Sequence, residues 1–185
     1  MRRIRYGVGM SLDGYIADAQ GATNWLLADP NLDPREFFAG IDTVIMGRRT
    51  YELMRSAGMR AYPGLRTYVA SRTLAEDEVP EVTVLADDLF DVAAALRREP
   101  SPRDIWLAGG GALAATMLRA RLVDTIEVGI SPRLLARPGV PLVAPWEGAG
   151  GGAPGSPFVL ELVRSRVLAS GLVVLEYDVL NAAAA

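Results

Sequence analysis

Asp104-Ile105-Trp106-Leu107-Ala108-Gly109-Gly110-Gly111-Ala112 decides the fold class of this 185-residue chain. A β-prone run meets three consecutive glycines, and residues 112–121 read as a helix. A strand that turns into a helix through glycine opens an α/β unit. Lacking Cβ atoms, such a turn brings backbone N–H groups close to a phosphate, and the helix N-terminus behind it adds positive dipole. Gly109, Gly111 and Ala114 also satisfy a loose G-x-G-x-x-A dinucleotide pattern, which a tight strand-to-helix turn satisfies equally well. The acid expected about 20 residues further on has no counterpart, since Asp124 and Glu127 come too soon. A Rossmann domain is disfavoured.

The same alternation continues on both sides. Residues 4–10 read as a strand in which Ile4, Tyr6 and Val8 alternate against the other face, and Asp13-Gly14 breaks it within 11–18. Residues 21–34 form a loop holding Trp25, and Asp33-Pro34 carries helix-start signals. Thr43-Val44-Ile45-Met46 is a continuous apolar run suited to a buried strand, followed by a helix over 49–56. Residues 67–70 and 82–85 are short strands. Asp87 and Asp88 are candidate caps for a helix reaching residue 98, and 123–130 is another strand. The runs 158–166 and 172–179 flank Ala169-Ser170-Gly171 and read as an antiparallel hairpin. The expectation is one α/β domain over residues 1–181, with a mixed, mostly parallel sheet flanked by helices and ending in that hairpin. Residues 147–157, rich in Gly, Ala and Pro, read as a surface loop or as a flap beside the site. Residues 182–185 read as a frayed tail.

Composition excludes whole classes of chemistry. With 19 basic and 22 acidic residues the net charge is −3, which leaves no cationic surplus for a nucleic-acid backbone. The chain has no cysteine, so thiolate nucleophiles, iron–sulfur clusters and zinc-thiolate sites are excluded. It has no histidine, which removes Ser-His-Asp catalysis and HExxH metal sites. Every cation is an arginine, which removes Schiff-base chemistry and a Walker lysine. No metal is expected. Asp, Glu, Tyr and ordered water remain as proton carriers, so an enzyme here leaves the hard chemistry to a cofactor. Met1-Arg2-Arg3 leads directly into a strand, and no stretch approaches the ~20 apolar residues of a membrane span. A cytoplasmic protein is expected, with neither membrane nor nucleic acid as partner.

Two more strand ends suit phosphate. In Met46-Gly47-Arg48-Arg49-Thr50-Tyr51-Glu52 a buried strand again meets a helix N-terminus, where two arginines can bind phosphate bidentately and Thr50 can add a hydroxyl. Ser71-Arg72-Thr73 follows strand 67–70 and suits a ribose 2′-phosphate, or forms an ordinary turn. All three sites lie at strand C-termini, the edge where open α/β sheets bind ligands.

Ser11-Leu12-Asp13-Gly14-Tyr15-Ile16-Ala17, Trp25, the Val44-to-Glu52 run, Ser71-Arg72 and Leu107-to-Gly111 occur in an order and spacing that resemble the dihydrofolate-reductase-like fold. More closely, the chain is similar to stand-alone members of the riboflavin-biosynthesis reductase domain family. That resemblance implies NADPH as cofactor, hydride transfer to a ring or conjugated C=N, and a homodimer. It places Gly47, Arg48, Arg49 and Thr50 at the cofactor's phosphates and Ser71 with Arg72 at its 2′-phosphate. Gly109, Gly110, Gly111 and Ala112 would hold the pyrophosphate, and Ile16 with Ala17 would line the nicotinamide pocket. Two departures stand out. The zinc deaminase domain and the ribitol-phosphate signature of the riboflavin enzyme have no counterpart. The position of the pteridine-binding acid of dihydrofolate reductase is Pro30, with Asp29 one residue short.

The proton donor stays open among Asp13, Asp29 and ordered water. Burial of Asp13 near the nicotinamide would raise its pKa and keep it protonated; otherwise Asp13 is a turn residue bonding its own backbone. Trp25 is a substrate lid or a core residue, and Trp106 reads as core. The expected function is NADPH-dependent reduction of a small heteroaromatic or conjugated C=N substrate, of pteridine, pyrimidinedione or flavin type. The alternatives are dihydrofolate reduction proper and a non-catalytic NADP-binding sensor.

Overall fold

Strand β1 (Ile4–Ser11) buries Ile4 and Tyr6 completely, so its alternate residues Arg5, Gly7 and Gly9 face the other side of the sheet. A computed structural model describes residues 1–145 and 158–180. From β1 the chain moves outward through β3 (Ile41–Gly47), β4 (Arg66–Ala70) and β5 (Thr83–Leu85). It returns with β6 (Asp104–Leu107) beside β1, then adds β7 (Thr125–Ser131), β9 (Val159–Val167) and β10 (Val173–Leu180) on the far side. The resulting eight-stranded order is β5-β4-β3-β6-β1-β7-β10-β9. Only β10 opposes its neighbours, pairing antiparallel with both β7 and β9. The mixed, mostly parallel sheet and the terminal hairpin are therefore as expected.

Helices α3 (Leu89–Arg98) and α4 (Gly111–Arg119) cover one face, where Leu96, Leu113 and Met117 join Ile4, Tyr6, Ile105 and Leu107 in the larger core. Helix α2 (Arg48–Ser56) covers the other, with Tyr51 and Met54 against Val44, Met46 and Val69. Each fully buried side chain of this kind stabilises the fold by about 1.5–3 kcal/mol. Helix α1 (Pro34–Ala39) starts where Asp33-Pro34 signals it: the Asp33 carboxylate accepts from the Arg35 N–H, and Pro34 opens the first turn. It lays Phe37 over Gly7, where an added Cβ would meet the ring at 3.0 Å.

Two local expectations are corrected. Asp13-Gly14 does turn the chain, with Gly14 at φ +87°. Extended structure then resumes at once as β2 (Tyr15–Asp18), which pairs antiparallel with β8 (Gly139–Pro141). Neither strand is visible in the sequence, because each is short and its partner is remote. Asp88 occupies the N-cap of α3 but makes no side-chain capping bond, and Asp87 instead pairs with Arg72. The loop at 147–157 and the tail at 182–185 lie outside the described residues.

Candidate functional site

Strands β3 and β6 are parallel neighbours, so the helices that follow them begin side by side. The Gly47 N–H donates to the Gly109 carbonyl at 2.9 Å, locking the two glycine turns together. Gly47 caps α2 and Gly110 caps α4, and neither helix has a side-chain cap. Their first-turn N–H groups are thus left for solvent or an anion, with both dipoles aimed at the same place. They open into a cleft of about 990 Å³.

Ile16, Ala17, Gly47, Arg48, Arg49, Thr50, Gly110, Gly111 and Ala112 all line this cleft. Arg48 reaches Thr73 Oγ1 at 2.6 Å and Glu52 at 3.4 Å, whereas Arg49 is exposed and makes no ion pair among the described residues. Gly111 has a reason beyond anion approach: a Cβ there would lie 2.2 Å from the Pro141 carbonyl oxygen. Gly109, Ser71 and Arg72 stand just outside the wall. The Gly109 carbonyl is engaged by Gly47, and Ser71 Oγ accepts from the N–H groups of Thr73 and Leu74. Arg72 forms an exposed pair with Asp87 at 3.0 Å. The Arg48–Thr73 bond ties this Ser71–Thr73 turn to the cleft.

A second pocket of about 350 Å³ adjoins the first and shares Gly7, Val8, Gly9, Leu26 and Trp106 with it. Sequence reading missed this pocket. Gly7, Gly9 and Gly129 form part of its lining, and their alternation along β1 and β7 is a signal only once those strands are known to be neighbours. Trp106 is half-buried at the junction rather than enclosed in the core. Its Nε1 donates to the Gly7 carbonyl at 2.9 Å, and Phe37, Phe38 and Tyr62 stand edge-on to it at 5.1–5.5 Å. Arg5 stacks on Phe37 and pairs with Glu127 at 2.9 Å.

The carboxyl groups chosen from sequence lie elsewhere. Asp13 is exposed and accepts from the N–H groups of Leu135 and Ala136. Hydrogen bonding from Ser11 and from these amides holds its carboxyl below the usual range, the reverse of the rise expected from burial. Asp29 is likewise held low, by Ser170 and by the Asn31 N–H at 2.7 Å. Neither lines either of these two pockets. Trp25 donates from Nε1 to the Ala22 carbonyl, and its neighbours Leu26 and Leu27 line the second pocket in its place. Tyr6 donates to the Leu142 carbonyl, and burial pushes its phenol far above the ordinary value. Among the described residues no cluster suited to a metal ion occurs, and no helix is long and apolar enough to cross a membrane.

Residues 2–174 match the model of the RibD C-terminal domain. The chain belongs to this family. The protein YyaP of Bacillus subtilis (strain 168) is 27% identical over 95% of this chain and 94% of its own length. A Shewanella sp. PV-4 protein described as a riboflavin biosynthesis protein superposes with TM-score 0.76 and 25% identity, covering 97% of this chain and 99% of that one. Dihydrofolate reductase from Enterococcus faecalis, solved with NADP(H) and RAB-propyl, superposes with TM-score 0.64 and 19% identity over 95% and 94%. This RibD-type chain therefore has the dihydrofolate-reductase-like fold.

Proposed function

We propose that the chain is an NADPH-dependent reductase acting on a small heteroaromatic or conjugated C=N acceptor. The observation that carries this reading is the pair of uncapped helix N-termini joined at Gly47 and Gly109, flanked by Arg49, at the mouth of a cleft that opens onto a second pocket. Paired N-termini with an uncommitted arginine fit a pyrophosphate, and the Ser71–Arg72 turn fits the 2′-phosphate. Ile16 and Ala17 then flank the nicotinamide end. The cofactor supplies a hydride, and the protein's part is to bind it, orient it toward the second pocket and exclude water. The acids that reach that pocket are Asp33, Glu36 and Glu127.

The test is a titration with NADPH and with NADH, read by tryptophan fluorescence. Tight NADPH and weak NADH binding is expected; binding of neither overturns the proposal. One observation favours a second reading, an NADP-binding protein without turnover: the three pocket acids are already paired, with Arg35, Arg166 and Arg5. That reading requires binding with no NADPH oxidation across pteridine, flavin and pyrimidinedione acceptors. A homodimer is proposed as well, through edge strand β9, which exposes Val159, Leu162, Val163 and Val167.

A further inference from the structure

Residues 139–144 form a strap along one wall of the larger cleft, and one buried side chain ties that strap to the core. Val140 lines the cleft, and a Cβ on Gly110 would lie 4.0 Å from its Cγ1. Strand β8 pairs Val140 with Ala17 of β2. The approach is so close that a Cβ on Gly139 would meet the Ala17 carbonyl oxygen at 2.5 Å. Past β8, the Leu142 N–H donates to the Gly14 carbonyl at 2.9 Å and the Ala144 N–H to the Gly111 carbonyl at 3.0 Å. The strap therefore touches both the strand that carries Ile16 and Ala17 and the first residue of α4.

The tie is Tyr6. This side chain is fully buried on β1 and lines neither pocket, and its hydroxyl donates to the Leu142 carbonyl at 2.6 Å. Leu142 is thus bonded at both backbone groups, outward to Gly14 and inward to the core. Burial raises the phenol far above its ordinary value, so the hydroxyl is a standing donor. Phenylalanine would fill the same space and leave that carbonyl without its partner, so the hydroxyl serves the strap rather than the packing. The phosphate cradle has its own support, because the Gly47–Gly109 bond joins the two glycine turns directly.

We propose that Tyr6 is a positioning residue for the nicotinamide half of the cofactor: through Leu142 it holds β8 against β2 and so fixes Ile16, Ala17 and Val140 along the wall of the cleft. The inference rests on the larger cleft being the NADPH site.

The test is calorimetric titration of the full chain and of Tyr6→Phe with NADPH and with adenosine 2′,5′-bisphosphate, which lacks the nicotinamide half. Tyr6→Phe is expected to weaken NADPH about tenfold and to leave the bisphosphate within about twofold. Unchanged NADPH binding, or equal losses for both ligands, overturns the proposal. Val179→Ala is the control for general loosening, since Val179 belongs to the same core but bonds Asp124 at the far end of the sheet. It is expected to leave both ligands unchanged; a tenfold loss of NADPH alone there too would overturn the assignment to Tyr6. Hydrogen exchange in the unsubstituted chain gives a readout that needs no variant. Saturating NADPH is expected to slow exchange of the Leu142 and Ala144 amides about tenfold, and the bisphosphate to leave them unchanged. Amides indifferent to NADPH, or slowed equally by both ligands, overturn the inference. An unsubstituted chain that does not bind NADPH overturns the cofactor reading together with this one, whereas NADPH bound equally by Tyr6→Phe overturns this inference alone.

Discussion

The Gly47 N–H and the Gly109 carbonyl oxygen lie 2.9 Å apart, and through that bond two turns remote in sequence become one cradle, the proposed anion site. The proposal draws on addition: α2 and α4 start on adjacent parallel strands, so their dipoles point into one cleft. Arg48, Arg49 and Thr50 on α2 then stand beside Ala112 on α4 in the same cleft.

Replacing the two candidate phosphate arginines separates their roles. Arg49→Ala is expected to weaken NADPH and NADH alike, each by about tenfold. Arg72→Ala is expected to weaken NADPH by a similar factor and leave NADH unchanged. The melting temperature stays put in the second case, because the Arg72–Asp87 pair is exposed. Equal losses for both nucleotides with Arg72→Ala would remove the 2′-phosphate assignment.

Gly111→Ala tests the approach of β8 to the cradle. The new methyl would collide with the Pro141 carbonyl, which nothing nearby can relieve without shifting backbone. A loss of about 2 kcal/mol is expected, a fall in melting temperature of roughly 4–8 °C. Gly47→Ala is the control, since its Cβ finds no atom closer than 3.8 Å at an ordinary φ of −80°. Two variants with the same melting temperature would contradict the packing argument.

Acid should destabilise the fold through the N-terminal charge network. Arg2 is buried and pairs with Asp42 and Glu99. Burial works against the Asp42 charge, yet hydrogen bonds from Thr43 and Ser101 and the Arg2 guanidinium outweigh it and hold the carboxyl below its usual range. A carboxyl whose folded pKa is depressed contributes stability above its unfolded value of about 3.9 and loses it as pH falls through the folded value. Melting temperature is thus expected to hold from neutrality to about pH 5 and to drop below about pH 4. Asp42→Asn should cost about 3 kcal/mol at neutral pH and flatten the acid limb; an unchanged limb would place the titrating group elsewhere.

Light scattering checks the edge of the sheet. Leu162 is 54% exposed on β9 beside exposed Val163, and a mass twice that of the monomer is expected. Leu162→Glu should return the protein to monomer without lowering its melting temperature, because the side chain contributes little to the core of a single chain. A wild-type chain that is monomeric retires the dimer.

What the sequence determined by itself follows from local physics. The apolar run 43–46, the glycines at 47 and 109–111, the Asp33-Pro34 start and the terminal hairpin are each written in a few consecutive residues. Strand type, helix entry and turn position depend on those alone. The α/β class and most of the cradle were readable for that reason. Only the tertiary structure decided the rest. Strand order sets Gly7 beside Glu127, which builds the second pocket from residues that look like ordinary strand positions. It also brings β8 across Gly111, and it puts Asp13 against the backbone of Leu135 and Ala136, away from both pockets. A carboxylate's pKa and a tryptophan's role depend on which remote backbone arrives next to them. No local pattern carries that information.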